Sequence, residues 1–366
     1  MDRRGPVLRM SIPASLPALF AGWTDEIFAG PIPNESSATC ESCAMVVDDD
    51  PHGERGFNAA TKCCTFVPDM WNFLAGAVLL DDDPAMAKGR ASVEARIARG
   101  VGVTPLGLRR SPAYQMLYDG TTMTFGHSKA MLCPHYLPEH GGLCGVWRHR
   151  ESTCTTWFCK FVRGAVGREF WLQYQQLLRH AEESLVAWSL LELGIDAKSL
   201  AHLFHPMRIR TTWKVSARDL DDEVDPRAID LAWGSWRGRE HELYVACARL
   251  VAPLAWSDVA RIGGAQLAVY ERLARDAYAR LTNNDAPANP TRALVQITPR
   301  QDGRIRLATY SSTDELDVPS VVMNVLPYFD GRPLDETLVD IRRAERVNVD
   351  PSLVRKLTDF GVLREA

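Results

Sequence analysis

Residues 133–159 read CPHYLPEHGGLCGVWRHRESTCTTWFC. Four cysteines (Cys133, Cys144, Cys154 and Cys159) stand among glycine, proline, histidine and arginine, with neither helical nor strand periodicity. Such a segment has little regular hydrogen bonding or core of its own, and a bound metal would supply the missing order. Upstream lie Cys40 and Cys43, spaced as C-x-x-C, and the adjacent pair Cys63 and Cys64. Thus eight of the nine cysteines fall in two blocks within residues 40–165. Only Cys247 lies outside, in a helical stretch, where it reads as a buried apolar residue. A C-x-x-C turn lets two thiolates face one ion at ~2.3 Å, and thiolates select Zn, Cu(I) or iron–sulfur clusters over Mg or Ca.

The rest of the chain restricts what such a centre serves. At 366 residues it exceeds the size at which single cores stop growing, roughly 250–300 residues, so two or three domains are expected. A net charge of −4 argues against nucleic-acid binding and against an anionic membrane surface. No apolar run approaches the ~18 residues of a membrane span. Arg3 and Arg4 are followed by Pro6, Arg9, Pro13 and Pro17, which leaves no apolar core for a signal peptide. The expectation is an unexported, cytoplasmic protein, where clustered cysteines serve metals or redox chemistry rather than disulfides.

Residues 1–39 form an arm with an apolar patch at Leu19, Phe20, Trp23, Ile27 and Phe28. The cysteine segment, 40–165, is loop-rich, with one short helix around Val93 to Ile97. A helical region follows over 166–285. Phe170, Trp171, Tyr174, Leu177, Leu178, Ala181, Leu185 and Trp188 recur at spacings of three and four, and Gly194 ends the helix. Helices are also expected at 226–250 and 257–282, with a strand from Ile209 to Val215. Asn283 to Pro290 reads as a domain boundary. Beyond it, residues 290–366 predict a hairpin, Ala293 to Thr298 and Ile305 to Tyr310, around Asp302 and Gly303. Helices at 319–329, 335–344 and 351–359 follow, the last capped by Asp350 with Pro351 at its first position. The expected fold is α+β: a metal-stapled cysteine domain, a helical middle and a small winged-helix-like end.

The second cysteine block resembles the YkgJ-like cysteine-cluster family of zinc- or iron-chelating proteins. That family's pattern is matched by Cys133, Gly142-Leu143-Cys144, Trp147, Arg148 to Arg150, Cys154, Phe158 and Cys159; Cys40, Cys43, Cys63 and Cys64 resemble its opening C-x-x-C and Cys-Cys pair. The resemblance implies metal ligation by all eight. It favours an iron–sulfur cluster, [4Fe–4S] in form, as in the related flagellin lysine N-methylase, with Zn as the alternative. Methylase activity does not follow, because no G-x-G-x-x-G loop closes a strand. One four-cysteine cluster plus a second site, or two Zn sites, both satisfy the thiol count.

The end of the chain, from Asn324 through Asp330 to Leu334 and from Leu353 to Leu363, resembles PqqD-like winged-helix modules, which recognise peptides. Two functions follow. One is an iron–sulfur protein with a redox or group-transfer role on a peptide or protein. The other is a non-enzymatic zinc-stapled scaffold or metal carrier with an interaction module. No Ser/His/Asp set, P-loop or paired-carboxylate signature names a reaction. Among the histidines, His127, His135, His140 and His149 flank the second block, with His135 the foremost alternative ligand. Asp48 to Asp50 and Asp81 to Asp83 read as solvated turns beside Pro51 and Pro84. Arg148, Arg150 and Lys160 are candidates to offset a cluster's negative charge.

Overall fold

The computed structural model describes residues 16–35, 39–41, 43–47, 56–121, 124–204 and 216–366. The fold is α+β, with helix far exceeding strand. The chain divides into two compact units: Met1–Ile32, Thr39–Trp157 and Gln175–Tyr270 in one, Pro33–Ala38, Phe158–Tyr174 and Glu271–Ala366 in the other. The segment Asn283 to Pro290 therefore lies inside the second unit. The expected strand Ile209 to Val215 and the run Asp48 to Asp50 lie outside the described residues.

In the first unit, the apolar patch of the arm forms the helix Ala18–Ile27, burying Phe20, Trp23 and Ile27. Trp23 Nε1 donates to the Leu254 carbonyl at 3.0 Å. The cysteine segment is more helical than its sequence predicts, with helices Asn72–Leu80, Ala87–Arg99 and Pro112–Gly120. Asn72–Leu80 is apolar on nearly every side, so it shows no periodicity to read; it is a core helix. It packs on Glu240–Val251 so closely that a Cβ on Gly76 would stand 1.8 Å from the Tyr244 carbonyl oxygen. Around them the strands are only two residues long: Val103–Thr104 and Met70–Trp71 both pair with Gly107–Leu108.

The long helix Gly164–Glu192 follows its predicted stripe, with all but Trp188 of those side chains buried. Beyond it, Ile195 N donates to the Leu190 carbonyl at 3.1 Å across Gly194, whose φ is 67°. The helix expected at 226–250 is instead two, Pro226–Trp233 and Glu240–Val251, joined by a 3-10 turn, Gly234–Trp236. Gly234 and Gly238 both have positive φ, which ends regular helix there. Trp256–Thr282 is kinked at Gly264.

In the second unit, the expected hairpin forms between Gln296–Pro299 and Arg304–Ala308, with Gln296 opposite Ala308 and Pro299 opposite Ile305. A strand missed in the sequence, Leu316–Pro319, adds antiparallel to Arg304–Ala308. The helix expected over 319–329 shrinks to Val322–Val325 and a 3-10 turn, Leu326–Tyr328, because Pro327 cannot donate its amide to a longer helix. Leu334–Glu345 and Pro351–Asp359 match expectation, and Asp350 Oδ1 accepts from Ser352 N at 2.7 Å as the cap. The terminal strand Leu363–Glu365 pairs with Pro290–Arg292. The core gathers Leu307, Val325, Phe329, Ile341, Val354 and Leu357.

Three acidic side chains of this unit hold residues 161–163. Glu35, fully buried, accepts from Val162 N at 2.6 Å and Trp171 Nε1 at 2.8 Å. Asp314 accepts from Phe161 N at 2.9 Å and also from the Tyr310 hydroxyl. Asp359 receives Arg163 through two nitrogens at 2.6 and 2.9 Å.

Candidate metal centre

The pair Cys63 and Cys64 sits on a tight turn. Lys62 N and Cys64 N donate to the carbonyls of Asn58 and Thr61 at 2.9 and 3.1 Å, and Lys62 itself adopts a left-handed φ of 51°. The two sequence blocks meet there, since Cys133 N donates to the Cys64 carbonyl at 2.7 Å. From Cys133 the chain enters the ribbon Tyr136–Leu137 and Leu143–Cys144, which places Tyr136 opposite Cys144. Gly142, at the ribbon's bend, has φ 83°, and a Cβ there would lie 2.0 Å from the Tyr136 hydroxyl. Gly145 N closes the ribbon on the His135 carbonyl at 2.7 Å. Cys154 belongs to the short helix Ser152–Thr156.

Six thiols from these segments are electrostatic neighbours. Cys144 interacts with Cys40, Cys64, Cys133 and Cys154, and Cys63 interacts with Cys40, Cys64 and Cys133. Burial pushes the Cys133 thiol up to about 12 and raises Cys144 and Cys154 as well. Cys64 donates to Cys63, which lowers the Cys63 thiol and raises its own. Two backbone amides also point at sulfur: His135 N–H at Cys133 and Val146 N–H at Cys144. Such an amide donor, from two residues onward, favours the charged form of the sulfur and opposes the effect of burial.

Cys43 lies on the same loop as Cys40, and its carbonyl accepts from Val46 N at 3.1 Å. Cys159 belongs to the second unit and is half-buried. Cys247 is buried in Glu240–Val251, as its sequence context indicates. Among the described residues, no three His, Cys, Asp or Glu side chains form a group arranged to hold a metal ion. Thiols are soft donors, so the chemistry of the set, as distinct from its arrangement, is the kind that Zn and iron–sulfur centres take.

His127, His135 and His149 have other partners, and the side chain of His140 lies outside the described residues. His135 is 2% exposed, with Nδ1 at 2.7 Å from Ser92 Oγ and Nε2 at 3.3 Å from an Arg96 nitrogen. Arginine only donates and Ser92 Oγ donates to the Gly89 carbonyl, so Nδ1 carries the proton and Nε2 accepts. Burial and Arg96 lower its pKa to about 3, which keeps the ring neutral. With both nitrogens engaged, His135 braces the Cys133 strand rather than offering a ligand. His149 Nε2 lies 2.9 Å from Asp81, and Arg148 pairs with Asp83 at 2.7 Å. Those aspartates anchor basic groups while Asp83 caps the turn at Ala85. His127 packs edge-on to Phe57.

Sequence reading missed Glu151, Glu182 and Lys62 behind the cysteines. Glu151 accepts from Thr153 N and Cys154 N at 2.5 and 2.6 Å, fixing the Cys154 turn. Glu182 accepts from Ser152 N at 2.8 Å, Ser152 Oγ at 2.6 Å and Trp71 Nε1 at 3.1 Å. It is fully buried, and burial with the nearby Glu151 raises its pKa well above the usual carboxylate range. Its signal was present in the sequence, because Glu182 falls on the apolar face between Leu178 and Leu185. Arg150 lowers the thiol pKa of Cys40, Cys63 and Cys144, and Lys62 lowers those of Cys40 and Cys63. Of the three candidate cations, Arg150 therefore faces the thiols, while Arg148 is held by the aspartates.

No single helix among the described residues is long and apolar enough to cross a membrane. Comparison with protein-family models, with curated proteins and with solved structures finds no match to this chain.

Proposed function

We propose that this is an iron–sulfur protein of a reducing, cytoplasmic setting, acting in a redox or group-transfer role on a peptide or protein. The observation that carries the reading is that the two cysteine blocks meet, Cys133 N donating to the Cys64 carbonyl at 2.7 Å, in a group of six electrostatically interacting thiols. Cys40, Cys63, Cys64, Cys133, Cys144 and Cys154 make up that group, with Cys43 and Cys159 as the remaining thiols of the set. Bound there, a cluster would supply one-electron chemistry, tuned by hydrogen bonds to sulfur and by local charge. The chain's own part is to hold the sulfurs, keep cations beside them and limit water.

The C-terminal sheet and helices are the proposed winged-helix-like module that presents the substrate. Its outer strand, Gln296–Pro299, is exposed along its length, and a groove of about 500 Å³ runs beside it, lined by Leu294, Gln296, Thr309 and Tyr310 among others. An exposed strand edge offers unpaired backbone groups to an extended peptide.

Metal and acid-labile sulfide analysis with a visible spectrum, on anaerobically purified protein, tests the reading. Stoichiometric iron and sulfide, lost in Cys133→Ser and Cys154→Ser, is the expected result. Zinc without sulfide sinks it in favour of a zinc-stapled scaffold, since Zn²⁺ is d¹⁰ and has no such visible band.

A further inference from the structure

We propose that Lys62 is a positioning and charge-compensating residue of the metal centre, tying its cysteine loops together and raising the reduction potential of a cluster held there. The inference rests on the metal-centre reading above. Lys62 is 7% exposed, and among the described residues no carboxylate pairs with it, an unusual place for an ammonium. Its Nζ donates instead to two backbone carbonyls, Cys40 O at 2.5 Å and Gly142 O at 3.1 Å. The first lies on the opening cysteine loop and the second on the ribbon bend two residues before Cys144. Lys62 also directly precedes Cys63. One side chain thus joins three of the cysteine-bearing segments.

The placement is costly, and the cost needs a compensating gain. A lysine with φ 51° adopts the left-handed region that side chains with a Cβ rarely enter. Two neutral carbonyls take two of the ammonium's three hydrogens and leave its charge uncompensated. The natural counter-charge is the thiolate group itself. A [4Fe–4S]²⁺ core with four thiolates carries about −2, and so does Zn²⁺ with four thiolates. Lys62 and Arg150 together supply two positive charges on the same sulfurs. Adding an electron makes a cluster more negative, so a buried cation beside it favours the reduced form.

Two variants separate charge from shape. Lys62→Gln keeps a donor and a similar stem but loses the charge, whereas Lys62→Arg keeps the charge. The readouts are iron and sulfide content and a redox titration followed at the visible band. In Lys62→Gln, the ratio of reduced to oxidised cluster at fixed ambient potential should fall about tenfold, which is ~59 mV for a one-electron couple. Lys62→Arg should hold the wild-type ratio. If Lys62→Gln cannot load the cluster while Lys62→Arg loads it fully, the requirement for charge is equally supported. An unchanged ratio in a fully loaded Lys62→Gln overturns the proposal and leaves the cluster reading intact. If the wild type carries zinc instead, the iron–sulfur reading fails on its own. Competition with a chromogenic chelator then decides on Lys62: about tenfold easier zinc release from Lys62→Gln supports it, and equal release overturns it. A wild type with no metal overturns both readings.

Discussion

Residues 290–366 and the cysteine-bearing stretches 56–66 and 131–149 reach order by different means. The C-terminal stretch buries fourteen apolar side chains in one cluster and carries strands of three to five residues. In 56–66 the buried residues are Thr61, Lys62 and Thr65, none of them apolar, in 131–149 the buried apolar residues are Met131, Tyr136 and Val146, and the strands are two residues long. What holds the latter is a mesh of single polar ties: Cys133 to Cys64, Gly145 to His135, Lys62 to Cys40 and Gly142. Apolar burial is additive and non-directional, so losing one contact leaves the rest. A polar mesh around buried thiols has no such reserve, and a metal binding there would contribute folding free energy directly.

The largest expected effect tests that contrast. Removing the proposed metal with a chelator should raise amide exchange more than tenfold across 57–66 and 133–146, while 304–363 exchanges as before. Mass spectrometry of exchanged peptides reads both regions in one sample. Equal loosening of the two would break the contrast, because the C-terminal core would then depend on the metal as well.

The reciprocal change is smaller. Phe329 is 2% exposed within the C-terminal cluster, and Phe329→Ala should cost about 3–5 kcal/mol through lost burial and a cavity. Denaturant unfolding measures the loss. Metal content at unchanged stoichiometry is the outcome that supports separate means of stabilisation.

The acidic clamp around 161–163 brings polar dependence into the second unit too. Trp171→Phe leaves a Glu35 oxygen without its indole donor and opens space in a closed site, at about 2–4 kcal/mol. The pH dependence carries a sign. Burial raises the Glu35 pKa, with Asp314 adding to the rise, while the Val162 and Trp171 donors oppose it. The folded state then binds a proton that the unfolded chain has already released. Stability is therefore full below the ordinary carboxyl pKa and is lost as pH rises from there through the raised value. Without the Trp171 donor the raised value climbs further, so the loss with pH in Trp171→Phe should exceed that of the wild type. Thermal melts between pH 4 and pH 8 compare the two, and parallel profiles would exclude Glu35 as the source.

How far each region was legible follows from the same contrast. The stripe from Phe170 to Leu185, the turn at Gly303 and the cap at Asp350 were readable because each depends on spacing within a few residues. The helix Asn72–Leu80 was not, since it is buried on nearly every face and has no polar side to mark a period. The strand Leu316–Pro319 was missed because four residues give too short an alternation. At the candidate centre, the cysteines announced themselves by type and spacing. The groups behind them did not. Lys62, Arg96 and Glu182 find their partners 22 to 111 residues away, so spacing within a few residues names none of the partners, although Glu182 itself interrupts the apolar face of its helix.

The smallest expected effect probes one strand of the polar mesh. Ser92 Oγ accepts a hydrogen bond from His135 Nδ1–H at 2.7 Å and donates one to the Gly89 carbonyl at 2.7 Å. Ser92→Ala removes both bonds and leaves a buried ring N–H without an acceptor, at about 1–2 kcal/mol. Arg96 still reaches Nε2 and donates to the Arg109 carbonyl at 2.8 Å, so the ring keeps one of its two braces. The Cys133 strand should therefore remain in place, with metal content unchanged and only the unfolding midpoint lowered. A loss of metal from this one substitution would mean that the mesh tolerates less than a single bond. The contrast with the C-terminal core would then be sharper than the burial alone implies.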